Sequence, residues 1–138
     1  MTKTSARNIF IGGTLVVTAV FIVMTIMSHA SYPERTHPEN ITPAVAHGKK
    51  VWEKHACIDC HTLLGEGAYY APELGNVIAR RGEEGVRIIL RTAAAQGWGT
   101  TRKMPKFDLS EEDINGLVEL FKWVGNINTS NWPPNVQG

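Results

Sequence analysis

Cysteine is scarce in this 138-residue chain: there are two, both within residues 57–60. A disulfide-rich scaffold is therefore excluded, and a zinc site would lack the second Cys pair that commonly completes its ligands. An excess of positive charge is missing too. The 14 Lys and Arg are matched by 13 Asp and Glu, so no basic face is available for nucleic acid. Neither an internal repeat nor a strand-like alternation of apolar and polar residues is evident, which points to an all-α chain. A composition of 43% apolar and 20% charged residues is that of a globular protein, with room for one domain of ordinary size.

The apolar residues are unevenly spread. From Asn8 to Ser28 there is no charge at all, and a helix of those residues would be about 31 Å long, enough to cross a bilayer. Ser28-His29-Ala30 loosely fits a signal-peptidase site, but the run exceeds the about 7–15 apolar residues of a secretory signal. An uncleaved single-pass anchor in the lipid bilayer is the expectation, with residues 1–7 as a short tail, 8–28 as the span, 29–41 as a linker and 42–138 as the exported domain. Lys3 and Arg7 precede the span and place the tail in the cytoplasm by the positive-inside rule. Removing these two from the 14 basic residues leaves 12 against 13 acidic ones in the exported part.

Both cysteines belong to Cys57-Ile58-Asp59-Cys60-His61, and C-x-x-C-H is the attachment pattern of c-type haem. With this composition a chance match is expected roughly once in a thousand such chains. The spacing has a chemical reason. Two thiols one turn apart can each add to a porphyrin vinyl group, and the next residue, His61, then offers its imidazole to the iron. A thioredoxin-like use needs a strand-to-helix context that is absent before Cys57, and a structural disulfide leaves His61 unexplained.

A methionine thioether is the common sixth ligand of an electron-transfer haem. Met1, Met24 and Met27 are terminal or within the span, which leaves Met104, followed by Pro105. The proline biases Met104 toward an extended backbone, suited to presenting a side chain from a loop. His29, His37, His47 and His55 all precede the attachment site and read as surface or helix residues.

Around these residues the pattern predicts helices. Thr42 reads as an N-cap with Pro43 at the first helical position, opening a helix to about Ala56 whose Gly48 marks a close approach of another helix. Ser110 and Asp113 suggest a capping box for a last helix with Leu117, Leu120, Phe121 and Val124 on one face, ended by Gly125 and Asn126. A helical stretch is expected near Glu83 to Ala95. The segments from Leu64 to Tyr70 and from Gly97 to Pro105 read as loops, the second carrying Met104. Trp98 and Trp123 read as packing residues.

The run from Cys60 through Thr62-Leu63-Leu64-Gly65-Glu66-Gly67-Ala68-Tyr69-Tyr70-Ala71-Pro72-Glu73-Leu74-Gly75-Asn76 resembles the cytochrome c subunit of bacterial nitric oxide reductase, as do Pro33-Glu34-Arg35-Thr36, Val51-Trp52-Glu53, Met104-Pro105, Lys122-Trp123 and Asn131-Trp132-Pro133-Pro134. Only the stretch between Arg91 and Thr101 is shorter and differently composed than the family pattern. The resemblance implies a class I cytochrome c-like domain in the periplasm, anchored in the bacterial inner membrane. It implies a partner, a catalytic membrane subunit with b-type haems and a non-haem iron that reduces NO to N2O. Electrons would come from a soluble donor, a cytochrome c or cupredoxin, and leave to haem b of the partner; no substrate-reducing site is expected on this chain. The same resemblance implies that Gly67 and Tyr69 approach a calcium ion at the subunit interface, the alternative being that both only shape a haem-adjacent turn. Similarity to class I cytochromes implies that the Pro72 carbonyl accepts a hydrogen bond from Nδ1 of His61. Trp132-Pro133-Pro134 reads as an aromatic anchor for docking on the partner or as an untethered tail. Two other readings remain: a free-standing anchored cytochrome serving another oxidase, and a haem enzyme or gas sensor whose iron keeps an open position because Met104 does not ligate.

Overall fold

A computed structural model describes residues 1–130 and residue 132; of the Trp132-Pro133-Pro134 segment, only Trp132 lies within the described residues. The chain forms two compact units, residues 1–35 and the remainder from Thr36 onward.

The first unit is one helix, α1, Lys3–Thr36. The Thr2 hydroxyl accepts from the backbone N–H of Ser5 at 3.1 Å and starts it. None of its residues is buried, and Phe10 and Phe21 are 74% and 67% exposed. It is long and apolar enough to cross a membrane by length and composition. The linker expected from residue 29 is shorter than that, because the helix carries on through Pro33 to Thr36. Pro33 removes only one donor from the ladder, and its fixed φ is compatible with a helix. Arg35 in the last turn suits the negative end of the dipole. The stop comes at His37, which adopts a left-handed φ of 49° ahead of a single 3₁₀ turn, Pro38–Asn40.

The second unit is built on three helices. Thr42 caps α2, Pro43–Lys54, accepting from the Val45 N–H at 3.3 Å, with Pro43 in the first turn. Ser110 and Asp113 form a reciprocal capping box at the start of α4, Glu111–Gly125. Helix α3, Val77–Gln96, is interrupted at Gly82 (φ 70°, ψ 160°), so the expected stretch from Glu83 is the second of two helical pieces.

Helices α2 and α3 both pack on α4. Burial of Val45, Val51, Trp52, Val86, Leu90, Ile114, Leu117, Val118, Leu120, Phe121 and Val124 makes the core, and Trp52 meets Phe121 edge-on, ring centroids 6.0 Å apart. Gly48 lies where α2 crosses α4, and the residue opposite it is Gly116.

One small sheet departs from the purely helical expectation. Strand β1, Thr62–Leu63, pairs antiparallel with β2, Glu66–Gly67, around a two-residue turn in which Leu64 (φ 54°) and Gly65 (φ 84°) are both left-handed. That is the geometry of a tight hairpin. Two-residue strands are too short to show any alternation in sequence.

Candidate functional site

The residues picked out by their chemistry converge on one cavity of about 440 Å³, lined by Cys57, Cys60, His61, Pro72 and Met104 among others. Its size lies in the range of cofactor sites. Core residues Trp52, Leu90 and Phe121 form part of its wall, so the interior that stabilises the domain also shapes the site.

The cysteines enter from the end of α2. Ala56 is left-handed (φ 50°), turning the chain out of the helix into the 3₁₀ turn Cys57–Asp59. The His61 N–H then donates to the Cys57 carbonyl at 2.9 Å, which closes Cys57, Cys60 and His61 into one turn. Both thiols are free. Burial pushes the Cys57 thiol up to about 11, so it is protonated at neutral pH. A disulfide oxidoreductase needs the reverse, a thiol held low.

His61 is placed by the loop after β2. Its Nδ1 lies 2.7 Å from the Pro72 carbonyl oxygen, which leaves Nε2 as the ring's open nitrogen. Burial holds the imidazole below its ordinary value, against the opposing effect of the Pro72 contact. A neutral ring with one nitrogen fixed is the form that ligates a metal.

Met104 comes from the far loop. Its N–H donates to the Trp98 carbonyl at 2.8 Å and its carbonyl accepts from the Trp98 N–H at 3.0 Å, a one-pair antiparallel bridge. Gly97 and Gly99 flank that bridge with φ of 82° and 96°, and a Cβ on Gly97 would sit 2.8 Å from the Met104 carbonyl oxygen. Here Trp98 acts through its backbone; its ring is 45% exposed and lines the cavity. Arg102 joins this loop to Tyr70, and both line the cavity. Its Nη1 donates to the Tyr70 carbonyl at 3.0 Å and its guanidinium lies 5.7 Å from the centre of the Tyr70 ring.

These residues fit a haem. Two thiols, an oriented imidazole and a thioether line one largely apolar hollow, and Arg80, Arg81, Arg102 and Lys103 line it with cations suited to carboxylates. Gly67, at the end of β2, and Tyr69, just after it, are exposed, Tyr69 by 78%. Gly67 (φ 124°) packs so closely that a Cβ there would lie 2.2 Å from the His61 carbonyl oxygen. Among the described residues, no group of three or more His, Cys, Asp or Glu forms a metal cluster.

Two features escape sequence reasoning. Gly116 has no partner pattern in sequence to mark it. Glu73, an acid inside a loop, is buried and binds the backbone around it; nothing in its neighbours signals that.

Residues 45–124 match the family model for cytochrome c. Over almost its whole length the chain is similar to curated relatives that are named as the C subunit of nitric oxide reductase. It is 47% identical to that of Stutzerimonas stutzeri, covering 99% of this chain and 97% of the relative. It is 45% identical to that of Paracoccus denitrificans, covering 100% and 97%, and 40% identical to that of Halomonas halodenitrificans, with the same coverage. With its cytochrome c fold and candidate membrane helix, the chain belongs to the family of nitric oxide reductase C subunits.

Proposed function

We propose that this chain is the electron-input subunit of a nitric oxide reductase. A soluble donor, a cytochrome c or cupredoxin, delivers electrons to its haem c, and they pass to haem b of the catalytic membrane subunit, where NO is reduced to N2O. The observation that carries this is the convergence of Cys57, Cys60, His61 and Met104 on one cavity in a chain of this family.

Cys57 and Cys60 would hold the group covalently through thioethers, and His61 and Met104 would supply the protein ligands to its iron. Bound there, the haem supplies a one-electron iron couple, which a thioether ligand biases toward the reduced form. The chain's own residues do the rest: the Pro72 carbonyl fixes the His61 ring, Trp98 fixes the Met104 backbone, and the apolar wall excludes water. With His61 and Met104 both given to the iron, this chain would carry electrons only and leave the chemistry on NO to the catalytic subunit.

Helix α1 anchors the chain in the inner membrane with residues 1–7 in the cytoplasm and the haem domain in the periplasm, as Lys3 and Arg7 favour. The Gly67 carbonyl and Tyr69 take part in a calcium site shared with the catalytic subunit, for which their exposure is suited; a backbone carbonyl is a hard oxygen ligand.

The test is purification of the complex from the native membrane. Copurification with a haem b protein that turns over NO, and rapid reduction of haem c before haem b by an added soluble donor, support this reading. Isolation without a haem b partner, and electron delivery to a different oxidase, favour the free-standing cytochrome instead.

A further inference from the structure

Glu73 is the one acidic side chain buried in the described residues, 7% exposed, and the haem-binding assignment gives it no task. Its carboxylate accepts three backbone N–H groups. Oε1 takes Gly75 at 2.6 Å and Leu64 at 2.9 Å, and Oε2 takes Gly65 at 3.1 Å. Leu64 and Gly65 are the two left-handed residues of the hairpin turn, and a left-handed backbone is unfavourable for a residue such as Leu. The carboxylate thus pins a strained turn at one end of the loop and Gly75 at the other. Between those ends is Pro72, whose carbonyl orients His61.

Buried acids usually become neutral. Here the N–H groups reverse that: burial raises the Glu73 carboxyl, but the bonds from Gly75, Gly65 and Leu64 and the nearby Thr62 hydroxyl bring it below the ordinary carboxylate range. A negative charge is therefore held on the residue next to Pro72, whose carbonyl orients the His61 ring. The titratable groups that sense it are His61 and Arg80, and Arg80 also donates to the Glu73 backbone carbonyl.

We propose that the buried Glu73 carboxylate is a positioning residue for His61 whose charge holds the reduction potential of the bound haem down. A negative charge in a poorly solvated setting favours the iron state with one more positive charge, the oxidised one. Arg80 offsets part of the field without changing the sign of what removal of Glu73 does. This rests on Cys57, Cys60 and His61 binding the haem, a premise that the haem c absorption spectrum of each variant checks separately.

The experiment compares reduction potentials of wild type, Glu73→Gln, Glu73→Asp and Glu66→Gln in the purified complex. Gln can keep the two bonds made by Oε1, so the loop retains most of its anchorage. The expected result is an upward shift for Glu73→Gln, a much smaller one for Glu66→Gln, which removes an exposed charge from the same hairpin, and a value near wild type for Glu73→Asp. A Glu73→Gln potential no higher than that of Glu66→Gln overturns the proposal, as does an equal shift in Glu73→Asp. A variant-free measurement covers the case in which Glu73→Gln fails to fold. Coupling is reciprocal, so carboxyl-carbon NMR of the wild-type chain must show Glu73 titrating at lower pH in the oxidised than in the reduced protein. Identical titrations in the two states refute the charge coupling.

Discussion

Gly48 and Gly116 meet backbone to backbone where α2 crosses α4: a Cβ on Gly48 would stand 2.0 Å from the Gly116 carbonyl oxygen, and one on Gly116 would stand 2.9 Å from the Gly48 nitrogen. Neither neighbour is a side chain that can swing aside, so a methyl at either position forces the helices apart. Gly48→Ala gains helix propensity of about 1 kcal/mol but overpacks a tight crossing, at about 1–3 kcal/mol or more. The net expectation is a lowered thermal midpoint and reduced haem incorporation, because Trp52 and Phe121 line the cavity from these two helices. A midpoint equal to or above that of wild type would refute a close crossing.

Met104→Ala should abolish the sulfur-to-iron charge-transfer band and lower the reduction potential, since a thioether favours ferrous iron. Binding of carbon monoxide to the reduced variant should appear where the wild type shows none. Retention of the band assigns the ligand elsewhere, and carbon monoxide binding by the wild type points to an open iron.

Arg102 ties the Met104 loop to Tyr70 on the wall of the cavity. An exposed cation–π contact is worth about 0.5–1 kcal/mol, and the hydrogen bond to the carbonyl adds about 1 kcal/mol. Arg102→Ala should therefore let imidazole displace Met104 roughly tenfold more readily, with the fold intact by circular dichroism. Arg102→Lys should recover part of the loss. Equal imidazole affinity in all three proteins would show that the contact does not restrain the loop.

Asp113 joins two elements: it accepts the Ser110 N–H and hydroxyl at 3.0 and 2.8 Å, and His47 Nε2 of α2 lies 2.8 Å from its other oxygen. The Ser110 N–H first, then its hydroxyl and His47, hold the carboxyl below its ordinary value of 3.8. A depressed folded value means that the stabilisation is complete above 3.8 and is lost as the pH falls through the lower folded value. Asp113 is partly buried and its partner His47 more exposed, so solvent screening keeps its worth to about 1 kcal/mol. Denaturation midpoints for wild type and Asp113→Asn should differ at neutral pH and converge in strong acid. A constant difference down to the lowest pH removes Asp113 from the acid response.

Chemistry that demands a fixed spacing is what the sequence makes legible. Cys57, Cys60 and His61 are adjacent because thioether and ligand geometry require it, and Met104 stands out because no other methionine follows the span. Caps are equally plain, since Thr42, Ser110 and Asp113 act on residues three positions away. What stays hidden depends on distant or backbone partners. Gly48 signals a close approach but cannot name Gly116, 68 residues later. A left-handed Leu64 is invisible because nothing about Leu predicts it, and the reason it is tolerated, Glu73, lies nine residues on. The continuation of α1 past Pro33 is similarly obscured, because a proline is a probable helix boundary and not an obligatory one.

The bridge between Trp98 and Met104 separates two jobs in the distal loop. Both backbone groups of Met104 are satisfied at the neck, so within the apex from Gly99 to Lys103 only Arg102, through Tyr70, adds to the hold on the thioether. Doubling the length of such an apex adds only about 0.6 kcal/mol of closure entropy. The neck and Arg102 are thus the constant parts of the loop, and Thr100-Thr101 at its tip is the natural site for an insertion or a grafted tag, with the iron ligand left in register.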